Sequence, residues 1–242
     1  MLREESKSKG LLNIILKLLQ GVAVFLIDGI KNTHKEGHIF ILLGVIATII
    51  GYWTISFLGT ICFILTAWII YFFRDPHRVV PQKEGILVAP ADGVITAIVN
   101  GEELPEELHF NTETTFTRIS IFLNVFNVHV NRIPVKAEVE KTCYVPGKFL
   151  NANLDKSSKE NERNILLLKT EGGEYIGLTQ IAGLIARRIV SYAKETDNYE
   201  TGERYGIIRF GSRVDVFIPE HYKVCVEKGQ TMIGGETIIA SK

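Results

Sequence analysis

Arg204 to Pro219 reads RYGIIRFGSRVDVFIP, two strand-like runs with Gly211 and Ser212 between them. Short runs rich in β-branched and aromatic residues, bounded by Gly, Pro and Asn, read as strands. The same texture extends outward on both sides from Val79 on. Before it come GILVAP, GVITAIV, RISIFLNVFNVHVNRIPV, AEVEKTCYV, NILLLKT and YIGLTQIAG; after it come YKVCVEKG and ETIIA. This pattern predicts a mainly β globular domain of barrel-sandwich-like type. Asn151 to Arg163 (NANLDKSSKENER) reads as a surface loop and Leu184 to Lys194 (LIARRIVSYAK) as the one helix of this half. Gly85 to Val99 and Lys228 to Ala240 echo one another and resemble the two halves of biotinyl/lipoyl-type sandwiches. Met232 is followed by Ile233, however, where such a carrier presents its lysine, so a swinging-arm carrier is not expected.

Upstream the character changes. Ile39 to Phe73 (IFILLGVIATIIGYWTISFLGTICFILTAWIIYFF) carries no charged residue, which marks it as membrane material. As one straight helix its 35 residues would reach about 52 Å, well beyond a hydrocarbon core of about 30 Å. Gly51, Tyr52, Trp53, Thr54, Ser56 and Gly59 weaken helix in the middle, so a tilted or re-entrant hairpin is expected, with a single heavily tilted span as the alternative. Lys31 and Lys35 before the run, and Arg74, Arg78 and Lys83 after it, fit both ends facing the cytoplasm. Leu11 to Ile30 reads as an amphipathic helix suited either to the membrane interface or to packing on the protein. The chain thus divides into an amphipathic segment, 1–38, a membrane hairpin or span, 39–73, and a β domain, 74–242.

Composition narrows the function. The 242 residues hold 27 Lys+Arg against 27 Asp+Glu, so no global field draws nucleic acid, and none is expected as a partner. At 46% hydrophobic residues and a mean hydropathy of +0.16 the chain is too apolar to be disordered. Cys62, Cys143 and Cys225 are odd in number and widely spaced, giving neither a disulfide framework nor a zinc site and fitting a reducing, cytoplasm-facing environment. His34 and His38 stand at i, i+4 with no third ligand near, so no metal is expected.

Four segments could carry chemistry. Pro90-Ala91-Asp92-Gly93 puts a carboxylate at a tight turn, where Asp and Gly are also favoured for purely local reasons. In NVFNVHVNR, Asn124 to Arg132, His129 sits among alternating valines; a structural histidine fits there, and so does a general acid/base if a carboxylate orients it. Gly211-Ser212 is no nucleophile elbow, since GxSxG is absent. A glycine kink in a strand explains it; so does an intramolecular acyl shift, because glycine leaves its carbonyl open to the serine hydroxyl. FFRDPHR, Phe72 to Arg78, follows the apolar run, and its arginines suit either an ordinary membrane anchor or lipid phosphate and carboxylate.

Taken in order, FFRDPHR, APADG, NVFNVHVNRIP, GKFLNANLDK, ERN, IAGLIARRI and GERYGIIRFGSRVDVFIP resemble the short bacterial type of phosphatidylserine decarboxylase proenzyme from about Arg74 to Ala240. The resemblance implies a lyase that cuts itself between Gly211 and Ser212 and turns Ser212 into a covalent pyruvoyl group, with no PLP and no metal. It further implies a large membrane-bearing chain and a small chain, 212–242. The substrate would be a membrane phospholipid, phosphatidylserine, decarboxylated through a Schiff base to phosphatidylethanolamine at the cytoplasmic side of the inner membrane. Ser212, His129 and Asp92 would be catalytic, with Asp92 orienting or charge-stabilising His129; Arg74, Arg78, Arg132 and Arg213 are the candidates for substrate binding. Two departures stand out against the long bacterial type: Arg213 replaces a threonine after Gly-Ser, and Arg132 replaces a second histidine. Both look like features of the short type, including archaeal relatives acting on archaetidylserine. A related aminophospholipid as substrate, or a membrane-anchored β domain that binds lipid without chemistry, are the alternatives; homo-oligomerisation is left open.

Overall fold

A computed structural model describes residues 27, 29–150, 160–183, 189–209 and 211–242. It contains two compact units, one ending at Pro76 and one running from His77 to Lys242.

In the first unit the charge-free run forms two helices, α1 (His38–Thr54) and α2 (Ser56–Phe72). Ile55 alone separates them, extended at φ −144° and ψ 114°. The chain reverses where the glycines and hydroxyl residues cluster, and small side chains let the helices touch. A Cβ on Gly51 would lie 2.8 Å from Gly59 Cα, and one on Gly59 would lie 2.5 Å from the Tyr52 ring, so nothing larger fits at this crossing. Farther along, Gly44 meets Thr66, and Thr48 and Thr66 hydroxyls stand 3.3 Å apart, each also donating to a carbonyl of its own helix. The open end is tied by His34 N–H to the Phe73 carbonyl at 2.8 Å and Asp75 N–H to the Asn32 carbonyl at 2.7 Å. Both ends of the hairpin therefore return to the same side. Lys35–Thr54 is long and apolar enough to cross a membrane by length and composition, whereas α2 is shorter. The amphipathic helix expected over Leu11–Ile30 lies outside the described residues except at Ile27, Gly29 and Ile30, which are helical.

The second unit is mainly β, as expected. Eight strands, Thr231–Met232 (β13), Gly93–Glu102 (β2), Phe116–Leu123 (β3), Ser212–Pro219 (β11), Tyr175–Ala182 (β7), Arg163–Thr170 (β6), Ala137–Val145 (β5) and Asn198–Tyr199 (β9), pair antiparallel in that order. Two three-stranded sheets accompany it: Ile86–Val88 (β1), Ile238–Ser241 (β14) and Lys223–Val224 (β12), and Val130–Arg132 (β4), Arg204–Ile208 (β10) and Ile189–Ser191 (β8). No closed barrel is found among the described residues; the sheets are antiparallel throughout, in keeping with the expected mainly β fold. The two echoing segments lie against each other, Leu87 opposite Ala240 and Gly93 opposite Met232.

Alternation along β11 sets the two faces of the large sheet. Val216 and Ile218 enter the main core with Ile119, Ile121, Leu166, Leu168 and Leu178, while Phe217 packs on the other side with Leu104, Leu108, Ile165 and Leu167. Each of these buried aliphatic side chains contributes about 1.5–3 kcal/mol. The helix expected over Leu184–Lys194 is corrected in part: Ile189–Ser191 is a strand paired with β10, and 184–188 lie outside the described residues. Pairing with Gly206–Ile208 overrides a local pattern that suits a helix.

Candidate active site

One end of the large sheet gathers the residues singled out above. Ser212 begins β11 and lies between Leu123, the last residue of β3, and Ala182, the last of β7. Leu123 and Ala182 pack with Ala91, Ile189, Ile208 and Val214, so the Pro90–Gly93 turn closes over the same end. His129 is tied in from the other sheet, its carbonyl accepting from Ile208 N–H at 3.3 Å. The segment Leu123–His129 is therefore paired with Ile208 at one end and with Ser212 at the other. Between these pairings the chain steps from β10 in one sheet to β11 in another, and Gly211 makes the step at φ +53°, in the left-handed region.

The Ser212 side chain faces the inner side of the large sheet, as Val214 and Val216 do, and is fully buried. Its Oγ has no hydrogen-bond partner among the described residues. A serine kept for structure is hydrogen-bonded when buried; Ser212 departs from that rule among the described residues. His129 is also fully buried, with Nδ1 2.9 Å from the Asn127 carbonyl oxygen. A carbonyl only accepts, so Nδ1 carries the proton and Nε2 is the basic nitrogen of the ring. On β10, burial pushes the Tyr205 phenol far above its ordinary range and keeps it neutral.

Asp92 sits differently from expectation. Both its oxygens take Arg78 Nη2 at 2.8 Å, and Oδ1 also accepts Gly234 N–H at 2.8 Å. Among the described residues no hydrogen bond joins Asp92 to His129; the ring is oriented by Asn127 instead. Arg213 points to the face opposite Ser212, where its Nε and Nη2 grip Asp215 at 2.7 and 2.6 Å, both side chains all but inaccessible. Arg132 donates to the Gly202 carbonyl at 2.9 Å and packs on Gly235. Arg74, in the other unit, donates to the Tyr71 carbonyl and lies 3.9 Å over the Tyr71 ring. At the far end of β11, a groove of about 540 Å³ lined by Asn100, Thr117, Glu220 and Tyr222 is remote from these groups.

Several residues of this end escaped the sequence reading. Asn161 holds the chain at Leu150 by two hydrogen bonds and the Ala182 carbonyl by a third, and Glu162 accepts Ile189 N–H at 3.2 Å. Gln180 bridges Asn164 of β6 and Asn131 of β4. Only the ERN and NVHVN motifs hinted at them.

The described strands form a mainly β domain in which a Gly-Ser junction bridges two sheets. The sequence model described as phosphatidylserine decarboxylase matches residues 65–240. Proteins named phosphatidylserine decarboxylase proenzyme are similar over most of the chain: that of Nitrobacter winogradskyi is 51% identical over 87% of this chain and 85% of its own. Those of Ruegeria pomeroyi, 48% identical over 87% and 95%, and Rickettsia akari, 51% identical over 88% and 91%, agree. The chain belongs to the phosphatidylserine decarboxylase family and is a decarboxylase.

Proposed function

We propose that this chain is a self-processing, membrane-bound pyruvoyl enzyme that decarboxylates phosphatidylserine to phosphatidylethanolamine. The observation that carries the reading is the buried, unpartnered Ser212 Oγ directly after a glycine at positive φ. Ser212 Oγ attacks the Gly211 carbonyl carbon; the C–N bond breaks, its nitrogen takes a proton, and an ester joins the two residues. Loss of the Ser212 Cα proton then expels the Gly211 carboxylate and leaves dehydroalanine at the head of the small chain. Its imine tautomer takes up water and releases ammonia, which leaves a ketone. That pyruvoyl ketone supplies a carbonyl that captures the substrate amine and accepts the electron pair freed as carbon dioxide departs.

His129 Nε2 is suited to move the protons at this end of the sheet, because the Asn127 carbonyl fixes the opposite tautomer. Asp92 serves as an anchor: with Arg78 it binds Gly234 N–H, a group of the small chain, to the large one. The small chain stays in place after the cut because β11 pairs along its length with β3 on one side and with β7 on the other. The charge-free hairpin, flanked by Lys31, Lys35, Arg74, Arg78 and Lys83, fits a bilayer with both ends on the cytoplasmic face.

The test is phosphatidylethanolamine formation in phosphatidylserine vesicles by the full chain and by Ser212→Ala. The wild type is cut and active, and Ser212→Ala is uncut and inactive. Decarboxylation at the wild-type rate by uncut Ser212→Ala would overturn the reading.

A further inference from the structure

Asn131 and Ser191 lie on either side of Gly206 in the sheet β4-β10-β8, directly opposite it in register. Paired residues on neighbouring strands share a face. That face looks at the large sheet, since a Cβ on Gly206 would lie 3.1 Å from Gln180 Nε2. Gln180 is paired with Val214, and Ala182, two residues on, is paired with Ser212. Asn131 and Ser191 thus face the interlayer space that Ser212 faces, and His129 stands two residues before Asn131 on the same side of its chain.

The hydrogen bonds here run in one sense. Asn164 Nδ2 donates to Gln180 Oε1 at 3.2 Å, and Gln180 Nε2 donates to Asn131 Oδ1 at 2.8 Å. The series ends on Asn131 Nδ2, a donor on a residue with 0% exposure that has no hydrogen-bond partner among the described residues. Ser191 Oγ is likewise buried and unpartnered. Buried donors are hydrogen-bonded as a rule, so two together beside a reacting centre mark the place of an acceptor that arrives from outside.

We propose that Asn131 Nδ2 and Ser191 Oγ form the subsite for the carboxylate of the serine headgroup; the inference rests on the decarboxylase reading above. A carboxylate offers only acceptor oxygens and matches two donors. Among the described residues, Arg213 grips Asp215 on the opposite face of β11, and Arg132, adjacent to Asn131, donates to the Gly202 carbonyl. Neutral donors also suit the reaction. Charge leaves the carboxylate as carbon dioxide departs, so a guanidinium would stabilise the bound substrate more than the transition state, whereas an amide and a hydroxyl orient the group without that penalty.

The test uses the full-length wild type, Asn131→Asp and Ser191→Ala. Asn131→Asp keeps the oxygen that accepts from Gln180 and replaces the free donor by an acceptor. Intact mass first shows whether each chain is cut. The ketone is then reduced with borohydride, so that no ligand is turned over, and binding of glycerophospho-L-serine and glycerophosphoethanolamine is measured by calorimetry. In Asn131→Asp the serine ligand weakens by at least about tenfold, and in Ser191→Ala by about three- to fivefold, while the ethanolamine ligand, which lacks the carboxylate, is unchanged. Normally cut variants that bind both ligands as the wild type does, or that lose both equally, overturn the subsite. An uncut Asn131→Asp of native circular dichroism also overturns it and assigns Asn131 to cleavage; should that variant unfold, Ser191→Ala decides. An uncut wild type counts against the processing reading alone, because both ligands can still be titrated into the uncut chain.

Discussion

The Arg213–Asp215 pair separates a structural reading of Arg213 from a substrate-binding one. Both side chains are nearly sealed from solvent, at 3% and 2% exposure, and two charge-assisted hydrogen bonds of 2.7 and 2.6 Å join them. Asp215→Ala takes this counter-charge away from a buried guanidinium. Arg118 lies 3.8 Å from the same carboxylate but keeps Glu102 at 3.1 Å, so the loss falls on Arg213. Breaking a buried pair by removing one partner costs about 3–5 kcal/mol, a fall in melting temperature on the order of 6–20 °C for a unit of this size. Replacing both partners with apolar groups, Arg213→Met with Asp215→Val, removes the uncompensated charge and returns stability to within about 2 kcal/mol of the wild type. Thermal unfolding of the full chain in detergent gives the stabilities, and vesicle assays give KM and kcat. If Arg213 has no part in binding headgroups, the double variant is cut and its KM is unchanged. A double variant as stable as the wild type but with KM raised tenfold would refute the argument from the opposite faces of β11.

Three further outcomes follow from local geometry. Among the described residues the Cβ of Gly211→Ala meets no atom within 4 Å, so the penalty comes from the left-handed backbone, about 1–2 kcal/mol; the fold survives, and cleavage followed by gel slows by about tenfold. Gly59→Leu cannot be accommodated against Tyr52, so a disulfide between Thr48→Cys and Thr66→Cys, whose hydroxyls stand 3.3 Å apart in the native hairpin, forms in the parent and fails in the variant, both in a Cys62→Ser background. Burial opposes charge on Glu174, but hydrogen bonds from Lys242, Tyr222 and His221 outweigh it and hold the carboxyl below its ordinary value of 4.5. A carboxyl depressed in the folded state adds stability above its unfolded value and loses it as pH falls through the folded one. Glu174→Gln therefore lowers the urea midpoint at neutral pH, and the difference from wild type vanishes in strong acid.

What the sequence disclosed was whatever depends on near neighbours. The missing charges of Ile39–Phe73, and the glycines and hydroxyls at its centre, marked a hairpin because both act within a turn or two of helix. Strand runs were legible for the same reason, and the Gly-Ser pair between RYGIIRF and RVDVFIP became a step between two sheets. Partners distant in sequence were not legible. Asp92 reads as a mate for His129, yet its carboxylate is taken by Arg78 and by Gly234, 142 residues away. Ile189–Ser191 suits a helix until β10 lies beside it. Asn131 looks like one more polar residue of an alternating strand, and its free donor emerges only when Gln180 from another sheet takes its oxygen.

The central claim is that Ser212 is consumed in cutting its own chain, and the intact mass of the denatured wild-type protein tests it most directly. Two species are expected, residues 1–211 and residues 212–242, the smaller one lighter than a serine-headed peptide by one ammonia. A single chain of 27.2 kDa that stays intact in the presence of anionic lipid vesicles would contradict the account.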